Sequence, residues 1–162
     1  MVETVLTVEE RMARLEARAA ISELTARYCR SLDQRDREAF GELWAEDAVQ
    51  ELRDRGIRFE GRGQILEGFD NTVRSLAHTH HLTGNLAVEL LSDTTARGVC
   101  DVLVATLSAE GEGWLTAATY EDRLRRDGDR WVFVARVVHD RVGGPLAQLG
   151  PTSSAAPQGG SS

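Results

Sequence analysis

The sequence predicts an α+β fold, with helices gathered at the front of the chain and a mostly antiparallel sheet behind them. Three observations carry this. A long stretch of three- and four-residue apolar spacing opens the chain, four long β-rich runs fill residues 82–138, and only short turns separate those runs. Helices first and strands after favour segregated α+β layers over an alternating parallel fold.

Over residues 8–32, Met12, Leu15, Ala19, Ile21, Leu24, Tyr28 and Leu32 recur mostly at steps of three and four, which predicts an amphipathic helix. Thr7 and Glu10 have the spacing of a capping box at its start. Asp33-Gln34-Arg35-Asp36 breaks the pattern, and Asp36 is placed to cap a second, shorter helix bearing Phe40, Leu43 and Trp44. Residues 48–52 read as a first strand, Asp54-Arg55-Gly56 as a turn and residues 57–60 as the return strand. Gly61-Arg62-Gly63 closes that hairpin, and residues 64–76 read as a third helix with Ile65, Leu66, Phe69 and Val73 inward. Residues 82–91, 96–109, 113–125 and 131–138 then form a meander, divided by Ser92-Asp93, Glu110-Gly111-Glu112 and Asp127-Gly128-Asp129. Residues 1–142 are expected to make one domain. Residues 143–162, rich in Gly, Pro, Ser, Ala and Gln, are expected to be a flexible tail, disordered from about Pro151.

A chain of 162 residues, 41% hydrophobic, is large enough to bury one core. Its net charge of −7 argues against nucleic acid, because neutralising phosphates needs a basic face. All 19 basic residues are arginine, which excludes lysine Schiff-base chemistry. Cys29 and Cys100 fall far apart in a helix and a strand, which leaves neither a disulfide framework nor a cysteine-based zinc site. Acidic residues come early and no long apolar run occurs, so neither a signal peptide nor a membrane span is expected. The chain is expected to be cytoplasmic.

Three of the four histidines fall within Ala77-His78-Thr79-His80-His81-Leu82, where a loop is expected to become a strand. Imidazole accepts a proton near neutral pH and also ligates metals, so the cluster admits a general base, a metal site or a solvated loop. Strand alternation puts His78 and His80 on one face and His81 on the other. His78 and His80 with an added carboxylate would suit zinc, but no second cluster at a convincing spacing accompanies them. No metal is expected.

Four segments carry a family resemblance. They are Arg18-Ala19-Ala20-Ile21 leading through Tyr28 to Asp33, Trp44-Ala45-Glu46-Asp47-Ala48, His81-Leu82-Thr83-Gly84-Asn85-Leu86, and Arg125-Arg126-Asp127-Gly128 followed by Trp131-Val132-Phe133. In order and spacing the chain from about residue 8 to 140 resembles the nuclear-transport-factor-two-like superfamily, in particular its SnoaL-like enzymes. Scytalone dehydratase and hexachlorocyclohexane dehydrochlorinase belong to that group. The resemblance implies a cone-shaped α+β barrel, its curved sheet wrapped around the long first helix and enclosing one apolar pocket. It also implies association as dimers or trimers through the open sheet face, with no cofactor.

The resemblance further implies roles. Asp33, just past the first helix, would orient His81, which would remove a proton. The physical reason is that a carboxylate accepting Nδ1–H fixes the tautomer and leaves Nε2 as the base. The plainer alternative is that Asp33 only terminates the helix while His81 satisfies a backbone group. Tyr28 would donate to a substrate oxygen or simply pack in the core. Arg136, set in an apolar strand, would stabilise a leaving group or enolate, or else pair with an acidic residue on a neighbouring strand. Trp114, Thr116, Ala118 and Tyr120 would face the pocket, with Val102, Val104, Leu76, Phe69 and Gln50 completing its wall. Two departures stand out. A second histidine expected near residues 114–116 is absent, and Tyr28 replaces a lysine of the dehydrochlorinases.

The resulting expectation is a cofactor-free lyase or isomerase acting on a hydrophobic small molecule such as a polyketide or terpenoid intermediate. Dehydration leads, with ring closure or a double-bond shift close behind. The alternative is a non-catalytic binder or assembly subunit of the same fold.

Overall fold

The computed structural model describes residues 6–146. The long first helix α1 spans Val8–Asp33 and opens with the capping box: Thr7 accepts from the Glu10 N–H, and Glu10 accepts from the Thr7 N–H. After it come α2 (Arg37–Glu42), β1 (Trp44–Leu52), a single 3-10 turn (Arg53–Arg55), β2 (Ile57–Glu60) and α3 (Gly61–Ser75). Four long strands follow: β3 (Leu76–Leu90), β4 (Thr95–Ser108), β5 (Gly113–Asp127) and β6 (Arg130–Leu146). Asp36 caps α2 by accepting the Ala39 N–H at 2.9 Å.

The six strands make one sheet in the order β2-β1-β6-β5-β4-β3. Strands β3 to β6 form the expected antiparallel meander, whereas β1 runs parallel to β6, with Gln50 opposite Arg136. Register shifts interrupt β1, β3 and the β5–β6 pair. Such bulges bend and twist strands, which lets the sheet curve over α1. The bulge in β3 between Gly84 and Ala87 includes Asn85 in the left-handed region, φ 53°.

The largest departures from the expected boundaries are three. β1 begins at Trp44 rather than Ala48. β3 begins at Leu76, so the histidines lie within a strand and not in a loop before it. β6 continues to Leu146, pairing Gly143 with Thr116 and Pro145 with Trp114. Glycine and proline there resemble a tail in composition, yet Pro145 needs no ladder N–H at the end of a strand. The domain therefore runs past residue 142, and residues 147–162 of the expected tail lie outside the described residues.

Only half of the predicted helical stripe faces the core. Ile21, Leu24, Tyr28 and Cys29 of α1 are buried with Phe40, Trp44, Ile65, Leu124 and Phe133 in one continuous cluster. Met12 and Leu15 are exposed. The cause is a change of phase between Ala19 and Ile21, a two-residue step that crosses to the other side of the helix.

Candidate active site

The end of α1 is fastened to β3 by Arg35. Its backbone is left-handed (φ 58°), and its guanidinium donates to the carbonyls of Leu76, at 2.7 Å, and Ala77. This brings Asp33 against the middle of β3. Because β3 is the sheet edge, alternate N–H groups along it have no strand partner. The His81 N–H is satisfied by Asp33 Oδ2 at 2.9 Å.

Asp33 Oδ1 also lies 2.6 Å from His81 Nδ1 and accepts the Thr79 hydroxyl at 2.9 Å. Burial opposes ionisation of Asp33, but the hydrogen bonds from His81 and Thr79 outweigh it and hold its pKa below the ordinary carboxylate value. An ionised carboxylate only accepts, so Nδ1 carries the proton and Nε2 is the ring's basic atom. Asp33 thus holds both the ring and the backbone of His81, and it is the carboxylate, not the His81 ring, that satisfies a backbone group. Thr79, unremarked in the sequence, shares the inward face of β3 with His81 by alternation.

The His81 side chain, 9% exposed, lines a cavity of about 490 Å³. Tyr28, Gln50, Phe69, Leu76 and Val104 line it too, as do Thr116, Ala118 and Tyr120. Leu32, Phe40, Phe59 and Val138 add further apolar wall, and Arg55, ion-paired with Asp140 at 2.8 Å, contributes a polar rim. Gly68 of α3 backs onto the Phe59 ring; a Cβ there would stand 2.7 Å from Phe59 Cζ.

Tyr28 reaches the cavity through a ring packed edge-on or tilted against Phe40, Trp44, Tyr120 and Phe133. Its hydroxyl oxygen accepts from Gln50 Nε2 at 3.1 Å, which leaves the phenolic hydrogen to donate. Burial raises the Tyr28 pKa more than the nearby Arg136 lowers it, so the phenol is a neutral donor.

Arg136 does not line this cavity. It is fully buried, and Asp122 grips it with two hydrogen bonds of 2.8 Å. The rings of Tyr28, Tyr120 and Phe133 enclose its guanidinium, with centroids 4.1, 4.2 and 4.2 Å from Cζ. Burial disfavours its charge, yet Asp122 more than compensates and holds the proton above the ordinary arginine range. A guanidinium already neutralised and walled by rings does not reach a leaving group directly. The expected substrate contact is therefore corrected to a structural ion pair beneath Tyr28.

Two more wall residues lie elsewhere. Val102 is packed inside the core cluster. Trp114, 47% exposed, folds across Gly143, whose missing Cβ would sit 3.0 Å from the indole nitrogen. That close approach draws the indole toward β6 and into a neighbouring surface groove. His78 and His80 are exposed, and His80 Nδ1 is 3.8 Å from Asp33 Oδ2. Among the described residues no three of His, Cys, Asp and Glu converge as a metal site.

A curved sheet over one long helix, with a part-buried histidine–carboxylate pair beside a mainly apolar cavity, defines the class as an α+β cone with a nuclear-transport-factor-two-like fold. The sequence model of the SnoaL-like domain matches residues 13–137, and the chain belongs to that family. It is 28% identical over 138 residues to the gamma-hexachlorocyclohexane dehydrochlorinase of Sphingobium indicum, covering 84% of this chain and 88% of that one. Hexachlorocyclohexane dehydrochlorinase 1 of the same species is 31% identical over 118 residues, covering 71% and 76%. The crystal structure of a type 2 hexachlorocyclohexane dehydrochlorinase superposes with a TM-score of 0.82 at 25% identity, over 90% of this chain and 99% of the other. No helix among the described residues is long and apolar enough to cross a membrane.

Proposed function

We propose that this protein is a cofactor-independent lyase that eliminates a leaving group from a hydrophobic small molecule. The observation that carries the proposal is the Asp33–His81 pair, with His81 in the wall of a mainly apolar cavity. Its likeness to enzymes named dehydrochlorinases supports elimination as the reaction type.

His81 Nε2 takes a proton from a carbon adjacent to the one bearing the leaving group. The C–H electron pair becomes the new π bond, and the leaving group departs with its own pair. Asp33 keeps Nε2 aimed and offsets the imidazolium charge. The Tyr28 hydroxyl, its oxygen held by Gln50, donates a hydrogen bond to the departing atom or to an enolate oxygen. If hydroxide leaves, the imidazolium proton joins it as water. Dehydration of a polyketide- or terpenoid-like compound is the favoured outcome, and a double-bond shift or ring closure would use the same proton abstraction. Tyr28 occupies the position of a lysine in the dehydrochlorinases, so a neutral donor faces the leaving group here.

Incubation with cyclic β-hydroxy ketones and with gamma-hexachlorocyclohexane, followed by mass spectrometry, tests the reading. Loss of water or of hydrogen chloride is expected. His81→Gln should lower the rate by about 10²–10⁴-fold, the usual worth of a general base. Saturable binding without turnover, unaffected by the His81 change, would favour the binder instead.

A further inference from the structure

The groove that holds the Trp114 indole adjoins the cavity at His81 and shares a wall with it. Arg55, Leu76, Thr106, Thr116 and Asp140 line both. On the inner side stand His81, Tyr28 and the apolar wall, and on the outer side Trp114, Val142 and Gly143. The outer space is no smaller than the inner, about 580 Å³ against about 490 Å³.

Strand register fixes where the two spaces meet. His81 lies opposite Val104, Val104 opposite Thr116 and Thr116 opposite Gly143, so one cross-strand row runs from the histidine to that glycine. Three strand spacings, about 14 Å along the sheet, separate its ends. Trp114 is the next residue of β5 beyond Thr116 on the same face, and its indole leans back over Gly143. A Cβ at position 143 would stand 3.0 Å from the indole nitrogen and 3.3 Å from the Thr116 hydroxyl oxygen. Glycine is therefore what lets the indole close on the end of the row.

The shared wall is polar, yet its charges cancel. Asp140 holds Arg55 through Nε at 2.8 Å and Nη2 at 3.3 Å, and its own N–H donates to Asp54. Arg141, which also lines the groove, donates to the Thr119 hydroxyl. Arg55 and Arg141 are thus matched by Asp140 and, behind it, Asp54, and this balance selects no ion. An ion pair as exposed as Arg55–Asp140 is weakly held, so a substrate lying across the wall displaces it with little loss. Beyond it the groove offers a half-exposed indole, the Val142 side chain and the bare backbone of Gly143. A flat, neutral ring suits such a surface, because aromatic pairs gain from offset or edge contact beyond burial alone.

We propose that the Trp114 groove is the outer half of the substrate site and receives a neutral aromatic ring, carried by a substrate whose other end lies at His81. That the His81 end is the one that reacts rests on the elimination reading; the outer compartment itself does not. The substrate class is thereby narrowed from compact single rings to elongated molecules that bear an aryl group away from the leaving group.

Two ketones without a leaving group test the compartment on the full chain. Cyclohexanone is short enough for the inner cavity alone, whereas 4-phenylcyclohexanone carries a ring that extends from it. By calorimetry the wild type should bind the aryl ketone about tenfold more tightly or better. Trp114→Ala, a change at a half-exposed strand end, should keep its circular dichroism and lose most of that ratio. Gly143→Ala should lower the ratio too, by displacing the indole. In proton–nitrogen NMR spectra the Trp114 indole N–H signal, assigned by its loss in Trp114→Phe, should move with 4-phenylcyclohexanone and stay put with cyclohexanone. An aryl ketone bound no more tightly than cyclohexanone, a ratio that persists in Trp114→Ala, or an indole signal indifferent to the aryl ring would each overturn the proposal. None of these readouts uses turnover, so the elimination reading stands or falls separately, on loss of water or hydrogen chloride and its dependence on His81.

Discussion

Asp33 binds both the ring and the backbone of His81, with Oδ1 2.6 Å from Nδ1 and Oδ2 accepting the peptide N–H at 2.9 Å. One carboxylate thus fixes the tautomer, the ring direction and the strand that carries it. Asp33→Asn keeps the shape but replaces an ionised acceptor with a neutral amide. We expect kcat to fall about 10²-fold with KM nearly unchanged. A rise in KM at constant kcat would instead limit Asp33 to shaping the cavity.

The same carboxylate predicts a pH dependence of stability. Burial works against its charge, but the His81 and Thr79 hydrogen bonds prevail, so its folded pKa lies below the ordinary value. A depressed carboxylate adds stability above its unfolded pKa of about 3.9, and that stability is lost as pH falls through the folded value. The difference in urea midpoint between wild type and Asp33→Asn should be full near about pH 6 and close below about pH 4. A difference that persists unchanged to strongly acid pH would refute the assignment.

Arg136 and Asp122 test the cost of a buried ion pair. Asp122→Ala strands a guanidinium among three rings and should cost about 3–5 kcal/mol in chemical unfolding. Replacing both, as Asp122→Leu with Arg136→Met, should recover most of that loss. Equal damage from the single and double variants would mean that packing rather than charge is at stake.

Tyr28→Phe removes the hydroxyl oxygen that accepts from Gln50 Nε2. The orphaned amide should cost about 1–3 kcal/mol of stability. Turnover should fall by about tenfold if the phenol serves the leaving group, a modest share of what one positioned donor supplies. Unaltered turnover with the stability loss would assign Tyr28 to the core alone.

Burial pushes the Cys29 thiol up to about 11, Arg136 nearby only partly opposing it, and it raises Cys100 as well. Thiolate is the reactive form, so neither cysteine should react with iodoacetamide at about pH 8 until the chain unfolds. Fast labelling of the native protein would contradict the burial described above.

The sequence made the capping box, the Asp36 cap, the four long strands and the Asp33–His81 partnership legible because each rests on local spacing or on a matched motif. What it hid was set by distant partners. Arg136 reads as an anomaly in its own strand and is explained only by Asp122 on the neighbouring one. Arg35, which ties α1 to β3, gives no local signal because its acceptors are carbonyls 41 and 42 positions away. The resemblance set Trp114 in the pocket wall, but the indole lies beside Gly143 in a neighbouring groove, a position that depends on the missing Cβ of a residue 29 places later in the chain. Met12 and Leu15 looked like core residues because periodicity marks an apolar face without saying what covers it.

Gly68 makes the breadth of the cavity depend on a single hydrogen atom. α3 rests on the Phe59 ring at a distance that admits no methyl group, and both residues border the cavity. Any larger residue at position 68 must tilt that ring or lift the helix, and either movement redraws the volume offered to a substrate. Ligand size and helix–strand packing are therefore inherited together here, and one codon gives selection a direct means of trading one against the other.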